Sequence, residues 1–165
     1  MSCTAYLSLG SNLGERFENI DLAIDAINRL EGTAVSGRSS FYESAPVGIR
    51  DQPDFINIAL GIETVLAPLD LLTELKEIEK KLGRRETVRW GPRVIDIDII
   101  FYGDEVISLQ GLDIPHLEIE GRRFVLEPLA EIAGAAMHPL TGKSVEDMLG
   151  ALPEDNSIVK VAGKN

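Results

Sequence analysis

The sequence predicts an α+β fold: a ferredoxin-like βαββαβ core, an antiparallel sheet with helices packed on it, plus an extra hairpin and C-terminal helices. Three observations carry this. Val94 to Tyr102 is apolar apart from Asp96 and Asp98 and is mostly β-branched or aromatic, the composition of a strand. Phe17, Ile20, Ile24, Ile27 and Leu30, and again Leu71, Leu72, Leu75, Ile78 and Leu82, recur at helical spacing. The order of segments is strand, helix, strand, strand, helix, strand, which closes an antiparallel sheet under two helices.

Each element has its own signal. Ala5 to Leu9 reads as the first strand and ends at the tight loop Gly10-Ser11-Asn12-Leu13-Gly14. Asn12 followed by Glu15 resembles a capping box for a helix running to about Leu30, and Gly32 is its stop. A glycine loop between strand and helix can cradle phosphate, but three residues are too short a signal, and a plain turn is the better reading. Ala34 to Tyr42 reads as the second strand, with a polar middle. A loop with two prolines, 44–53, follows, and Asp54 to Glu63 is the third strand. On it Phe55 and Asn57 share one face, Ile56 and Ile58 the other. Pro68 starts the second helix and Gly83 ends it, with Glu79 bordering its apolar stripe.

Beyond the acidic strand, Gly103-Asp104 predicts a two-residue hairpin turn into Val106 to Leu109. Ile114-Pro115-His116 and Gly121-Arg122-Arg123-Phe124 follow. Pro128 to Ala133 reads as a short helix, Ser144-Val145-Glu146-Asp147 as the start of a last helical turn, and the tail from Pro153 as polar and loose.

With 165 residues, 44% hydrophobic and 26% charged, the chain is expected to be one domain over 1–165 with a proper core. A formal net charge of −11 argues against a general nucleic-acid or anionic-membrane binder. The single cysteine, Cys3, fits a reducing compartment. No leader pattern and no apolar run near 18 residues is visible. The expectation is a cytoplasmic monomer that binds neither nucleic acid nor membrane.

The chemistry concentrates around the acidic strand. Alternation puts Asp96 and Asp98 on one face and Ile95, Ile97 and Ile99 on the other, with the carboxylates about 6.6–7 Å apart along the chain. Such a pair can hold one Mg²⁺ or bridge two, with open positions for water and phosphate. A half-buried edge strand with a solvated acidic face is the plainer alternative. Just upstream, Arg84, Arg85, Arg89 and Arg93 stand against one acid, Glu86, a cationic island in an acidic chain. Guanidinium forks match phosphate, so the loop and the carboxylates together suit a metal-polyphosphate site.

Competing motifs are missing. Gly142-Lys143-Ser144 looks like the end of a P-loop, but Met137 stands where its first glycine belongs. Two histidines and one cysteine cannot build a multi-Cys or multi-His zinc site, and there is no nucleophile elbow. A different metal-dependent transferase, using the acidic pair for nucleotide-sugars, and a non-catalytic ligand-binding module of the same fold remain open from these residues alone.

Gly10-Ser11-Asn12, Asp51-Gln52-Pro53-Asp54-Phe55-Ile56-Asn57, Arg89-Trp90-Gly91-Pro92-Arg93, Asp96-Ile97-Asp98-Ile99 and Pro115-His116 together resemble the 6-hydroxymethyl-7,8-dihydropterin pyrophosphokinase family of folate biosynthesis. The resemblance runs from about residue 5 to 130. It implies transfer of pyrophosphate from ATP to 6-hydroxymethyl-7,8-dihydropterin with release of AMP, and two Mg²⁺ ions held by Asp96 and Asp98. By the same resemblance Arg84 and Arg93 join those aspartates as catalytic residues. Ser44, Ala45, Pro46, Val47, Phe55, Asn57, Trp90 and Phe124 would bind the pterin. Glu79, Arg84, Arg85, Trp90, Arg93, Ile99, His116 and Arg122 would bind ATP. Phe55, Lys76 and Leu117 stand where the family more often has tyrosine, glutamine and tyrosine. The loops 44–53 and 84–93 are expected to be mobile and to order over both substrates.

Overall fold

The centre of the sheet is β4, Phe55–Thr64, buried along nearly its whole length. This computed structural model describes residues 1–46, 48, 51–83 and 91–163. On one side β4 pairs antiparallel with β1, Cys3–Ser11, which pairs antiparallel with β5, Asp96–Tyr102. On its other side it pairs with β2, Thr33–Arg38, and β3, Phe41–Ser44. The strand expected over 34–42 is therefore two pieces. The break is a tertiary effect: the Ser39 hydroxyl accepts from the Ala59 N–H at 2.9 Å while the Ser39 N–H donates to the Ala59 carbonyl. A serine side chain that satisfies the neighbouring strand bends its own strand there.

Two helices cover one face. They are α1, Arg16–Asn28, and α2, Pro68–Lys81. Ile20, Ala23 and Ile27, with Leu71, Leu75 and Ile78, meet Leu7, Leu9, Ile56, Ile58, Leu60, Ile62, Ile97 and Ile99 in the main core. Burying each such Leu or Ile contributes roughly 1.5–3 kcal/mol. Gly32 turns the chain after α1 at φ +71°, and a Cβ there would meet a Val65 methyl at 2.2 Å, so only glycine fits.

The opposite face carries a second core, so helices lie on both faces. It joins Ala59, Ile100 and Phe101 to Val125, Leu126 and Leu129 of α3, Arg123–Ala133, and to Val145 and Met148 of α4, Val145–Gly150. A bulge in the β1–β5 pairing, between Tyr6 and Leu7, breaks the alternation. It lets Ile100 and Phe101 both serve the second core, while Ile97, Ile99 and Tyr102 serve the first.

Four other expectations are corrected. The helix start falls at Arg16, with no side-chain cap, because the Asn12 amide is used elsewhere. Gly103-Asp104 does not join β5 to a paired strand. Instead β6, Ile107–Leu109, pairs with β7, Leu112–Ile114, as a separate two-stranded sheet. The helix α3 begins at Arg123 and carries Pro128 in its interior, where burial of the Val125–Leu129 stripe outweighs proline's preference for a first turn. The tail is not all loose: β8, Val159–Val161, pairs with β3. Ser144 does cap α4, accepting from the Asp147 N–H at 3.0 Å in a capping box.

Candidate active site

The site lies where the second face of the sheet runs out beyond α3. In the pairing register Gly10 stands between Asp96 on β5 and Asn57 on β4, and Ser8 stands between Asp98 and Ala59. The alternation that buries Ile97 and Ile99 under α2 thus turns both aspartates onto the same open face as Asn57. A cleft of about 310 Å³ forms over these rows, within the size range of small-molecule sites. Ser44, Ala45, Phe55, Asn57, Arg93, Asp96, Asp98, His116, Arg122 and Phe124 line it, all of them expected from the sequence. Ser8, Gly10 and Gly91 line it too, and sequence reasoning missed them. The sequence reading ends the first strand at Leu9 and puts Gly10 in a loop, but β1 runs on to Ser11, so Gly10 and Ser8 share a face and pair beside the aspartates.

A second cavity lies on the other side of Asp98. Leu72, Lys76, Ile97, Ile99, Leu112, Asp113 and Leu117 line it, and Asp98, His116 and Arg122 are common to both cavities. Ile99 therefore belongs to the second cavity, not the first. Glu79 lines neither. It is buried beneath β5, where its carboxylate accepts the Ile97 N–H at 2.7 Å and faces the Lys76 ammonium at 3.6 Å. Pro46 is buried but not among the lining residues. Val47, Arg84, Arg85, Arg89 and Trp90 lie outside the described residues, as does much of the second expected loop.

Each polar group has a traceable setting. Asn57 is buried and donates to the Ser44 hydroxyl at 2.7 Å, so one amide hydrogen is used within the protein. The Arg93 guanidinium folds back on the Gly91 and Pro92 carbonyls at 3.2 Å each. Arg122 pairs with Glu118 and sits 5.6 Å from the centre of the Phe124 ring. Burial, and next Arg122, hold the His116 imidazole below its usual value, against Glu118, Asp96 and Asp113. Its Nδ1 accepts the Glu118 N–H at 3.2 Å, which puts the proton of the neutral ring on Nε2.

The aspartates carry the test for a cation. Burial pushes the Asp98 carboxyl up to about 7, and the charges of Asp96 and Glu79 push the same way, against Lys76 and Arg122. A carboxylate that the surrounding charge disfavours is one that a divalent ion would restore to its ionised form. Among the described residues no group of three or more His, Cys, Asp or Glu side chains is arranged to hold a metal ion by itself. The pair would supply two ligands, leaving the rest of an octahedral Mg²⁺ shell to water and phosphate oxygens, which suits Mg²⁺ in phosphate chemistry. The donor set therefore fits the ion.

Comparison with known proteins identifies the family. Residues 6–134 match the family described as 7,8-dihydro-6-hydroxymethylpterin-pyrophosphokinase (HPPK). The 2-amino-4-hydroxy-6-hydroxymethyldihydropteridine pyrophosphokinase of Haemophilus influenzae is 47% identical over 82% of this chain and 85% of its own length. The enzyme of the same name from Pseudomonas aeruginosa is 43% identical over 90% of this chain and 91% of its own. Among solved structures, wild-type HPPK-DHPS of Plasmodium falciparum superposes with a TM-score of 0.69 at 15% identity, over 91% of this chain. This chain spans 44% of that one, so the likeness speaks for the fold alone. With a family match over most of its length and two relatives above 40% identity, matched over 85% and 91% of their own lengths, the chain belongs to the 7,8-dihydro-6-hydroxymethylpterin-pyrophosphokinase family.

Proposed function

We propose how this site divides the work of the family's reaction. That reaction is pyrophosphoryl transfer from ATP to 6-hydroxymethyl-7,8-dihydropterin, a step of folate synthesis. The observation that carries the division is the shared wall. Two cavities meet at Asp98, His116 and Arg122, so substrates held in the two would face each other across these residues.

The first cavity takes the pterin. Phe55 and Phe124 offer flat apolar faces to the heterocycle, and Asn57 presents an amide to its donor–acceptor edge, held in place by Ser44. The second cavity takes the nucleotide. Its apolar residues Leu72, Ile97 and Ile99 suit a base, and His116 Nε2–H and Arg122 stand at the phosphate end. Arg93 lines the first cavity, its guanidinium now turned onto the Gly91 and Pro92 carbonyls, and joins the phosphate end in this proposal through the family resemblance. Arg84, Arg85 and Trp90 belong to this proposal through the family resemblance.

Asp96 and Asp98 would hold Mg²⁺, two ions in this reading, and a bound cation would neutralise the phosphates and polarise the β-phosphorus. The rest of the catalysis is positioning and charge stabilisation by the chain itself. Asp96 or Asp98 takes the proton from the pterin hydroxyl as it attacks the β-phosphorus, and AMP leaves. The sheet order β5-β1-β4-β2 supports reading the core as ferredoxin-like, with the β6–β7 sheet, β8, α3 and α4 as additions. A single-domain monomer of the cytoplasm belongs to the same proposal, and the free thiol of Cys3 supports a reducing compartment.

The test is AMP release from ATP, with and without the pterin and with and without EDTA. Metal-dependent AMP that requires the pterin is the expected result. ADP in its place would mean that the transferred group is misassigned.

A further inference from the structure

We infer that Asn12 is a positioning residue that ties the pterin side of the cleft to its phosphate side, an inference that rests on the function proposed above. Asn12 is 1% exposed and lines neither cavity. Its Nδ2 donates to the Gln52 Oε1 and to the Pro53 carbonyl, each at 2.9 Å. Its Oδ1 accepts the Arg93 N–H at 2.8 Å, and its own N–H donates to the Arg93 carbonyl at 3.0 Å. A primary amide has two donor hydrogens and one acceptor oxygen. Here both hydrogens go to one segment and the oxygen to another, 40 to 81 residues away in sequence.

What the two segments carry gives this a purpose. Pro53 is two residues before Phe55, the aromatic wall of the pterin cavity. Arg93 is three residues before Asp96. One side chain therefore sets the distance between the stacking ring and the guanidinium and carboxylate that face the phosphates. Its own footing is fixed, because Asn19 Nδ2 donates to the Ser11 hydroxyl at 3.2 Å and to the Leu13 carbonyl at 2.9 Å. The ordinary use of asparagine before a helix, capping, is not made here. Catalysis by positioning is lost steeply with small displacements, so a residue that touches neither substrate can govern both.

The experiment compares wild type with Asn12→Ala and Asn12→Asp. Amide hydrogen exchange is read first, without ligands. Asn12→Ala is expected to speed exchange at Arg93 and at Asp54–Phe55 together, leaving Leu7 and Ile97 in the sheet unchanged. Binding of 6-hydroxymethyl-7,8-dihydropterin and of a non-hydrolysable ATP analogue with Mg²⁺ is read second. Both dissociation constants should rise about tenfold, the loss expected for a buried hydrogen-bond set. A side chain that merely stabilised the fold would lower the melting temperature and leave both affinities alone.

Asn12→Asp keeps the acceptor for Arg93 and sets a carboxylate against the Gln52 and Pro53 oxygens, so it should weaken the pterin more than the nucleotide. It also serves if the alanine variant fails to fold. The inference is overturned if exchange quickens in one segment only, if both affinities stay within twofold of wild type, or if Asn12→Asp weakens the two ligands equally. Exchange needs no ligand. A wild-type protein that bound no pterin would count against the proposed function, while the linked exchange still decided the role of Asn12.

Discussion

Gly10 faces Asn57 across β1 and β4, and a Cβ at Gly10 would stand 3.0 Å from the Asn57 Oδ1 and 3.5 Å from the Phe55 ring. The backbone of β1 is the floor on which the Asn57 amide, proposed to read the pterin, rests. Asn57 cannot retreat freely, because it is bonded to the Ser44 hydroxyl at 2.7 Å.

Gly10→Ala is therefore expected to displace Asn57 by a few tenths of an ångström and to raise the pterin KM about tenfold, equivalent to about 1.4 kcal/mol. The nucleotide KM should change little, since Gly10 lines only the first of the two cavities. Steady-state kinetics with each substrate varied in turn checks this. An unchanged pterin KM would mean that Asn57 does not read the ring.

Asp96→Asn and Asp98→Asn should each lower AMP release at least about 10²-fold, the scale of removing a main electrostatic stabiliser. Neither should unfold the protein, because each removes one of two neighbouring like charges. Circular dichroism melts beside single-turnover assays separate the two effects. Activity within threefold of wild type in both variants would count against the carboxylates as the metal seat.

Glu79→Leu should destabilise the fold by about 1–3 kcal/mol, because the buried Ile97 N–H loses its acceptor. The start of β5 would loosen with it, so both aspartates should lose Mg²⁺ affinity although neither is altered. Urea unfolding and Mg²⁺ titration read the two consequences. Glu79→Gln, which keeps an acceptor oxygen, should recover most of the stability.

Away from the site, Glu131 of α3 clamps the bend between β2 and β3. It accepts from the Tyr42 hydroxyl at 2.7 Å and from the Ser40 N–H and hydroxyl at 2.9 and 3.1 Å, and it pairs with Lys160. Burial raises its carboxyl, but those bonds and Lys160 outweigh it and leave the group below its usual value. A depressed acid contributes stability above its unfolded value of 4.5 that is lost as pH falls through the folded value. The Tyr42 hydroxyl is raised by burial and by Glu131, so its share is present below pH 10 and lost as pH rises beyond it. Glu131→Ala should cost about 2 kcal/mol at neutral pH, with the difference from wild type shrinking in acid. Denaturant midpoints measured from pH 3 to pH 7 test this, and a difference independent of pH would refute it.

Much of this was legible in the chain because its signals are local. The alternation of Asp96 and Asp98 with Ile97 and Ile99 gave both the strand and the face of the acids, and Phe55 with Asn57 gave the face that lines the first cavity. What escaped notice depends on partners far away in sequence. The break at Ser39 is made by Ala59, twenty residues on. Asn12 reads locally as a cap, yet its partners are Gln52, Pro53 and Arg93. Ser8 and Gly10 are ordinary strand residues until the register sets them beside Asp98 and Asp96. The start of α3 was hidden by Pro128, whose position only the second core explains.

The seven residues of β5 have a bearing on how the chain folds as well as on what it does. Were that strand to pair one step out of place, both acids would plunge into oil and the isoleucines would turn to water. A misaligned product would thus be penalised twice over, and a correctly paired strand turns both acids toward the cleft. The demands of the proposed site and of correct strand pairing thus fall on the same side chains.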